Sequence, residues 1–167
     1  MVVNGISLLQ AAPIKNMLDC KVKQHGVSHG LAEVGYDIRL KQDVRFGPIY
    51  DGSIGYVVGE DVNSNWKKGI FSIASAIEEF QMPRNLVGIV HDKSTWARKG
   101  LSVFNTVIES GWKGFLTLEL VYHGQGDLHL PAGCGIAQVI FHQITDPAQY
   151  EGKYQNQEDR PVEAVHS

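Results

Sequence analysis

Long apolar runs are missing from this chain. None approaches the ~18 to 20 residues that a membrane-spanning helix needs, so no partner in a bilayer is expected. The opening stretch MVVNGISLLQAAPIK lacks a basic segment ahead of an apolar block. It therefore does not read as a secretory signal, and a cytoplasmic location is the expectation. Cysteine is scarce: Cys20 and Cys134 lie far apart and are expected as buried free thiols rather than a disulfide. No Cys-x-x-Cys pair is present. Positive charge is not in surplus either, with 15 Lys and Arg against 18 Asp and Glu. That balance excludes a nucleic-acid backbone as the expected partner, although a few local cations can still hold a small anion. The seven histidines do not assemble a metal-ligand spacing; His25 and His29 are four apart without a His-Glu-x-x-His. His123 and His129 flank a Gly124-Gln125-Gly126 turn and are expected to be exposed. A Gly-x-Ser-x-Gly elbow and a phosphate loop ending Gly-Lys-Ser/Thr are both missing. Zinc catalysis and Ser-His-Asp catalysis thus have no support in the residues.

What is present is the composition of one globular domain: 167 residues, 43% apolar and 20% charged. Eighteen glycines punctuate short β-favouring runs at 36–40, 55–58, 70–73, 86–90, 101–104, 115–122 and 136–141. Short strands separated by turn signals predict a mainly β sandwich or barrel. In the run 115–122, strict alternation puts Leu116, Leu118, Leu120 and Tyr122 on one wholly hydrophobic face, which must be core. Phe115, Thr117, Glu119 and Val121 take the other. Two short helices are predicted. One spans 13–18, with Pro13 in its first turn. The other spans 93–99, capped by Asp92 or Ser94 and ended by Gly100. After Pro147 the chain turns polar, so the single domain 1–167 is expected to finish in a tail, 150–167, that is mobile unless something docks it.

Three places invite chemistry. Ser94 and Arg98 share a helical face near a helix start, an arrangement suited to phosphate oxygens but equally to capping and solvation. Glu119 is a carboxylate inside an apolar strand: it is paired, solvent-facing, or in a site that raises its pKa. Glu109, in Val107-Ile108-Glu109-Ser110-Gly111-Trp112, is a ligand contact or an ordinary turn acid.

Read in order, these segments resemble the dCTP deaminase branch of the trimeric dUTPase superfamily. Gly35-Tyr36-Asp37-Ile38-Arg39-Leu40 is similar to the family's early Tyr-Asp-Leu-Arg-Leu strand, and Glu78-Glu79-Phe80-Gln81-Met82-Pro83 to its strand ending in Pro. Ser94-Thr95-Trp96-Ala97-Arg98-Lys99-Gly100-Leu101 resembles Ser-Ser-x-Ala-Arg-x-Gly-Leu. Ile108-Glu109-Ser110-Gly111-Trp112-Lys113-Gly114 resembles Ile-Asp-Pro-Gly-(Phe/Trp)-x-Gly, and Thr117-Leu118-Glu119-Leu120 resembles Thr-Leu-Glu-Leu. Gly135-Ile136-Ala137-Gln138 is similar to Ile-Gly-Gln, and Tyr150-Glu151-Gly152-Lys153-Tyr154-Gln155-Asn156-Gln157 to Tyr-x-Gly-Lys-Tyr-Gln-x-Gln.

The resemblance implies a dUTPase-like distorted β-barrel, or β-clip, with short helices, assembled as a homotrimer with sites shared between subunits. It implies metal-free hydrolytic deamination of dCTP to dUTP and ammonia in thymidylate-precursor supply, with Mg²⁺ carried on the substrate triphosphate and no catalytic zinc. The alternatives inside the superfamily are a bifunctional enzyme giving dUMP, or a dUTPase; outside catalysis, a nucleotide-binding regulator. On the matched positions Glu119 becomes the general base, with Arg98 and Ser94 beside it at the reaction centre. Lys93, Thr95, Glu109, Thr117, Leu118, Gln138, Tyr150, Lys153 and Gln157 become nucleotide contacts, and the tail 150–167 closes over the nucleotide. The chain departs from the pattern at Glu109 (usually Asp), at Ser110 (usually Pro), at Asn105-Thr106-Val107 and at Trp96, where a small aliphatic residue is usual.

Overall fold

Alternation along one strand organises the molecule. The computed structural model describes residues 1–59 and 65–166. Its elements in chain order are β1 (Val2–Val3), α1 (Gly5–Ala11), β2 (Lys21–Gln24), β3 (Val27–Leu31), β4 (Tyr36–Arg39), β5 (Val44–Pro48), β6 (Ile54–Val58) and β7 (Lys67–Lys68). There follow β8 (Phe71–Gln81), β9 (Leu86–Asp92), α2 (Ser94–Ala97), β10 (Leu101–Val103), β11 (Val107–Ile108), β12 (Lys113–Tyr122), β13 (Leu128–Leu130) and β14 (Gly135–Gln143). The chain is mainly β, as predicted. Strand β12 buries Leu116, Leu118, Leu120 and Tyr122, and so turns Thr117 and Glu119 to its other face.

Three antiparallel sheets share the core. One runs β11-β9-β14-β4-β3-β2 with β1 added on β14, a second runs β10-β12-β8, and a third runs β13-β5-β6-β7. Tyr36, Phe46, Phe80 and Phe141 are the largest fully buried side chains between them. The β12–β8 register shifts where Phe115 opposes Glu79 and Thr117 opposes Ser75. Bulges of this kind re-aim side chains. Within the β8 stretch that carries the extra residues, Glu78 is buried and accepts from both the backbone N–H and Nε of Arg39, each at 2.8 Å. Burial still pushes the Glu78 carboxyl above its ordinary pKa, against the pull of Arg39.

Several local expectations change in the fold. The first helix lies at Gly5–Ala11, not at 13–18. Ala12 takes a left-handed conformation (φ 45°) that ends the helix, and Pro13 to Lys15 then line the edge of β8. Ile14 bridges Phe80 there and is 1% exposed. Burying that isoleucine against a sheet edge outweighs a local helical preference. Cys134 is buried as expected, but Cys20 is exposed; neither is in a disulfide. The second helix forms where predicted, yet neither Asp92 nor Ser94 caps it. Asp92 instead accepts the Val103 N–H at 2.7 Å, tying β9 to β10. Gly100 closes the segment with φ 88°. Strands β1, β2, β3, β5, β7 and β13 lie outside the predicted runs.

The tail is docked rather than free. Asn156 N–H donates to Lys113 O and Phe115 N–H to Gln157 O, so residue 157 forms a parallel bridge with Gly114. A Cβ on Gly114 would meet the Gln157 backbone nitrogen at 2.5 Å, so only glycine allows this approach.

Candidate active site

The outer face of β12 forms the floor of a cavity of about 520 Å³. Thr117 and Glu119 stand on that floor, with Ile73 of β8 directly across from Glu119. Phe71 and Tyr56 extend the apolar wall, Val107 to Glu109 form a second side, and Trp112 closes one end. The tail supplies the remainder through Tyr150, Tyr154, Gln157 and the stretch 162–164.

Glu119 is half-buried. Desolvation in this largely apolar setting raises its carboxyl pKa above the usual range, opposed by hydrogen bonds, among them one from Thr106. The Thr106 hydroxyl lies 3.3 Å from Oε2, and the Phe104 N–H donates to the Glu119 backbone carbonyl at 3.0 Å. Of the three states left open by the sequence, the third therefore holds: no cation pairs with Glu119 among the described residues, and it is not fully solvated.

Glu109 lines the same cavity from an exposed turn closed by Trp112 N–H to Glu109 O at 3.1 Å. Ser110, at the position where the resemblance has proline, is buried and donates to Leu86 O at 2.6 Å. Thr117 is buried, and its Oγ1 accepts from the Gln157 side chain and from the Val162 N–H at 3.0 Å. Tail and floor are thus already joined. Tyr150 N–H binds Ser110 O, and the Trp112 indole donates to Tyr154 O at 2.6 Å.

The structure brings together Glu109, Thr117, Glu119, Tyr150 and Gln157. It sets apart the other residues predicted for the site. Ser94, Thr95 and Arg98 are exposed on and just after α2, outside the cavity. Gln138 of β14 is paired in register with His91 of β9 and Asp37 of β4, on the sheet that leads into α2. Lys93 sits at the start of α2 with its ammonium on the buried Asp37 carboxylate, which Ser28 also contacts. Its charge is therefore committed inside the protein. Leu118 is 1% exposed, with its side chain on the core face opposite Glu119. Lys153 lies over the Tyr154 ring and donates to Val165 O, and it does not line the cavity. Trp96 is only 4% exposed, and its indole donates to Gly135 O at 2.7 Å, pinning α2 to β14.

Charge separates the two groups. Glu109, Glu119 and Glu163 line the cavity, and no Lys, Arg or His does among the described residues. None of the ion pairs among the described residues uses Arg98. No group of three or more His, Cys, Asp or Glu is placed to hold a metal ion among the described residues. No helix among them is long and apolar enough to cross a membrane. Sequence reasoning missed Thr106, Tyr56, Phe71 and Ile73 as parts of the site, while the 162–164 stretch belongs to the tail expected over the nucleotide. Thr106 lies in the loop between β10 and β11, and its partner Glu119 is 13 positions away on β12, so its own neighbourhood does not announce the contact.

Comparison with known proteins gives a consistent picture. A family pattern described as dCTP deaminase-like matches residues 61–144. The dCTP deaminase of Acidobacterium capsulatum is 30% identical over 152 residues, covering 83% of this chain and 83% of the relative. Among solved structures, the 2'-deoxycytidine 5'-triphosphate deaminase of Agrobacterium tumefaciens superposes with a TM-score of 0.58 at 16% identity, covering 85% of this chain and 47% of that one. The EIAV dUTPase superposes with a TM-score of 0.50 at 22% identity, covering 86% and 96%. At these identities the two structures speak for the fold alone, which is dUTPase-like. The family pattern includes β8, β11 and β12, which carry Ile73, Ile108, Thr117 and Glu119 of the cavity, and identity to the Acidobacterium relative persists across most of both chains. This protein belongs to the dCTP deaminase-like family.

Proposed function

We propose that this protein hydrolyses the C4 amino group of dCTP to give dUTP and ammonia, as a supplier of thymidylate precursors. The observation that carries the reading is Glu119: a half-buried carboxylate of raised pKa on the floor of a cavity large enough for a nucleoside. Water adds to C4 while Glu119 takes its proton. The carboxylic acid protonates N3, the regenerated carboxylate takes the proton of the new C4 hydroxyl, and it delivers that proton to the departing amino group, so that dCTP and water become dUTP and ammonia. A pKa lifted toward neutrality suits a group that must both accept and donate. Thr117 and Glu109 serve the sugar and base, and Gln157, Tyr150 and Lys153 belong to a tail that closes over bound nucleotide and excludes water.

The acting form is a homotrimer in the cytoplasm. A carboxylate-lined cavity repels a triphosphate, so the positive charge comes from Mg²⁺ carried by the substrate and from Arg98, with Ser94 and Gln138, of a second subunit. A second reaction at the same site, hydrolysis of dUTP to dUMP and pyrophosphate, is favoured by Glu109, a second carboxylate facing the same cavity.

Incubation with dCTP, dCMP or dUTP plus Mg²⁺, with every nucleotide product resolved, separates the readings. Ammonia without pyrophosphate supports the deaminase. Both products from dCTP support the bifunctional form, and pyrophosphate from dUTP alone replaces deamination with a dUTPase. Mixing Glu119→Gln and Arg98→Ala proteins after mild dissociation tests the shared site. If each site takes Glu119 and Arg98 from neighbouring subunits, about a quarter of randomly assembled sites regain both residues. No recovery would place both groups in one subunit's site.

A further inference from the structure

Glu119 has two carboxylate oxygens and needs one of them free for water. Oε2 is 3.3 Å from the Thr106 hydroxyl, whereas no side chain among the described residues binds Oε1. Thr106 is itself anchored between strands. Its carbonyl accepts the Val90 N–H at 3.0 Å, and the neighbouring Phe104 N–H holds the Glu119 backbone at 3.0 Å. The hydroxyl has a second acceptor, Phe104 O, at 3.4 Å. A threonine hydroxyl carries one hydrogen, so it serves either the carboxylate or this carbonyl at a given moment.

We propose that Thr106 is a positioning residue for Glu119, holding Oε2 so that the proton taken from water resides on Oε1, beside the substrate. This inference rests on the reading of Glu119 as the base. While Glu119 is ionised, donation from Thr106 is charge-assisted and fixes the carboxylate plane. Once Oε1 carries the proton, Oε2 is a weaker acceptor and the hydroxyl hydrogen can pass to Phe104 O. The acid is thereby loosened to deliver its proton. No bond to Thr106 is made or broken, and the proton count of the reaction is unchanged. The other ionisable groups facing the cavity are Glu109, Glu163, Tyr56, Tyr150 and Tyr154; none is hydrogen-bonded to Glu119, and no cation competes with Thr106 among the described residues.

The test compares Thr106→Val, which removes the hydroxyl and keeps the shape, with Thr106→Ser, which keeps the hydroxyl. Thr106→Val should lower kcat about tenfold, the scale of one hydrogen bond to a charged group. KM should stay within about twofold of the parent, because the lost bond does not touch the nucleotide. The acid limb of the kcat/KM profile should move to higher pH, since losing a donor disfavours the ionised carboxylate. Thr106→Ser should restore both. A Thr106→Val protein with the parental acid limb, or a loss shared equally by Thr106→Ser, overturns the proposal. If Thr106→Val does not melt cooperatively, Thr106→Ala read against Thr106→Ser gives the same comparison. Glu119→Gln separates the two levels. If that variant stays active, the base assignment falls; if it is inactive while Thr106→Val keeps the parental profile, only the role of Thr106 falls.

Discussion

The cavity over β12 and the edge at α2 are built from opposite materials. The first is apolar and carboxylate-bearing, with Glu119, Glu109 and Glu163 and no described cation. The second presents Ser94, Thr95 and Arg98 to solvent on a turn pinned by Trp96. Glu119 is half-buried and chemically tuned by its setting, whereas Arg98 is exposed and without an ion pair among the described residues. The difference teaches how one small chain divides two incompatible tasks. An acid–base carboxylate gains from dryness, while a phosphate contact gains from positive charge, and a guanidinium next to Glu119 would pull its pKa back down. Within this chain the two lie apart, and no Lys, Arg or His lines the cavity among the described residues.

The largest expected effect comes from removing the cavity's side of this contrast. Glu119→Gln should lower deamination by on the order of 10³-fold, within the range of general acid–base catalysis, and should leave nucleotide binding largely intact by calorimetry. Next comes the anchor of the other side. Trp96→Phe keeps most of the buried ring but leaves the Gly135 carbonyl without its 2.7 Å donor. It should cost about 1–3 kcal/mol in urea unfolding and weaken substrate binding through a displaced Arg98 more than it slows the chemical step. A variant with unchanged KM would show that α2 needs no pin.

The smallest effect is one of sign. Because burial raises the folded-state pKa of Glu119, folding favours its protonated form. That contribution is fully present below the unfolded pKa near 4.3 and is lost as pH rises through the folded value. At neutral pH the ionised group therefore opposes folding, and Glu119→Gln should raise Tm by up to about 3 °C while abolishing activity. Activity moves the other way and falls as acid protonates the base. A Tm difference that grows with acidification would contradict this assignment.

Much of this contrast is legible in the sequence because it rests on short-range rules. The alternation Leu116, Leu118, Leu120, Tyr122 forces Glu119 onto the opposite face, and Gly100 marks the end of α2 whatever surrounds it. What was not legible depends on distant partners. Ile14 joins the edge of β8 by pairing with Phe80, 66 positions away, so a proline-led helix never forms there. The fate of Lys93 is set by Asp37 on another strand, and nothing in its own neighbourhood announces a buried carboxylate. Strands β2, β3, β5 and β13 are short and interrupted by glycine, lysine or histidine, so their identity comes from the neighbours they pair with. Two departures from the pattern make buried hydrogen bonds of their own: Ser110 donates to Leu86 O and the Trp96 indole to Gly135 O.

The Trp112 indole both walls the cavity and holds the tail through Tyr154 O. That double duty gives the protein an intrinsic optical reporter. Emission from Trp112 should shift to longer wavelength when the tail lifts and water reaches the ring, and shift back as nucleotide seals the mouth. Stopped-flow fluorescence in a Trp66→Phe background, which removes the most exposed of the three tryptophans, would then time the opening of the mouth separately from turnover.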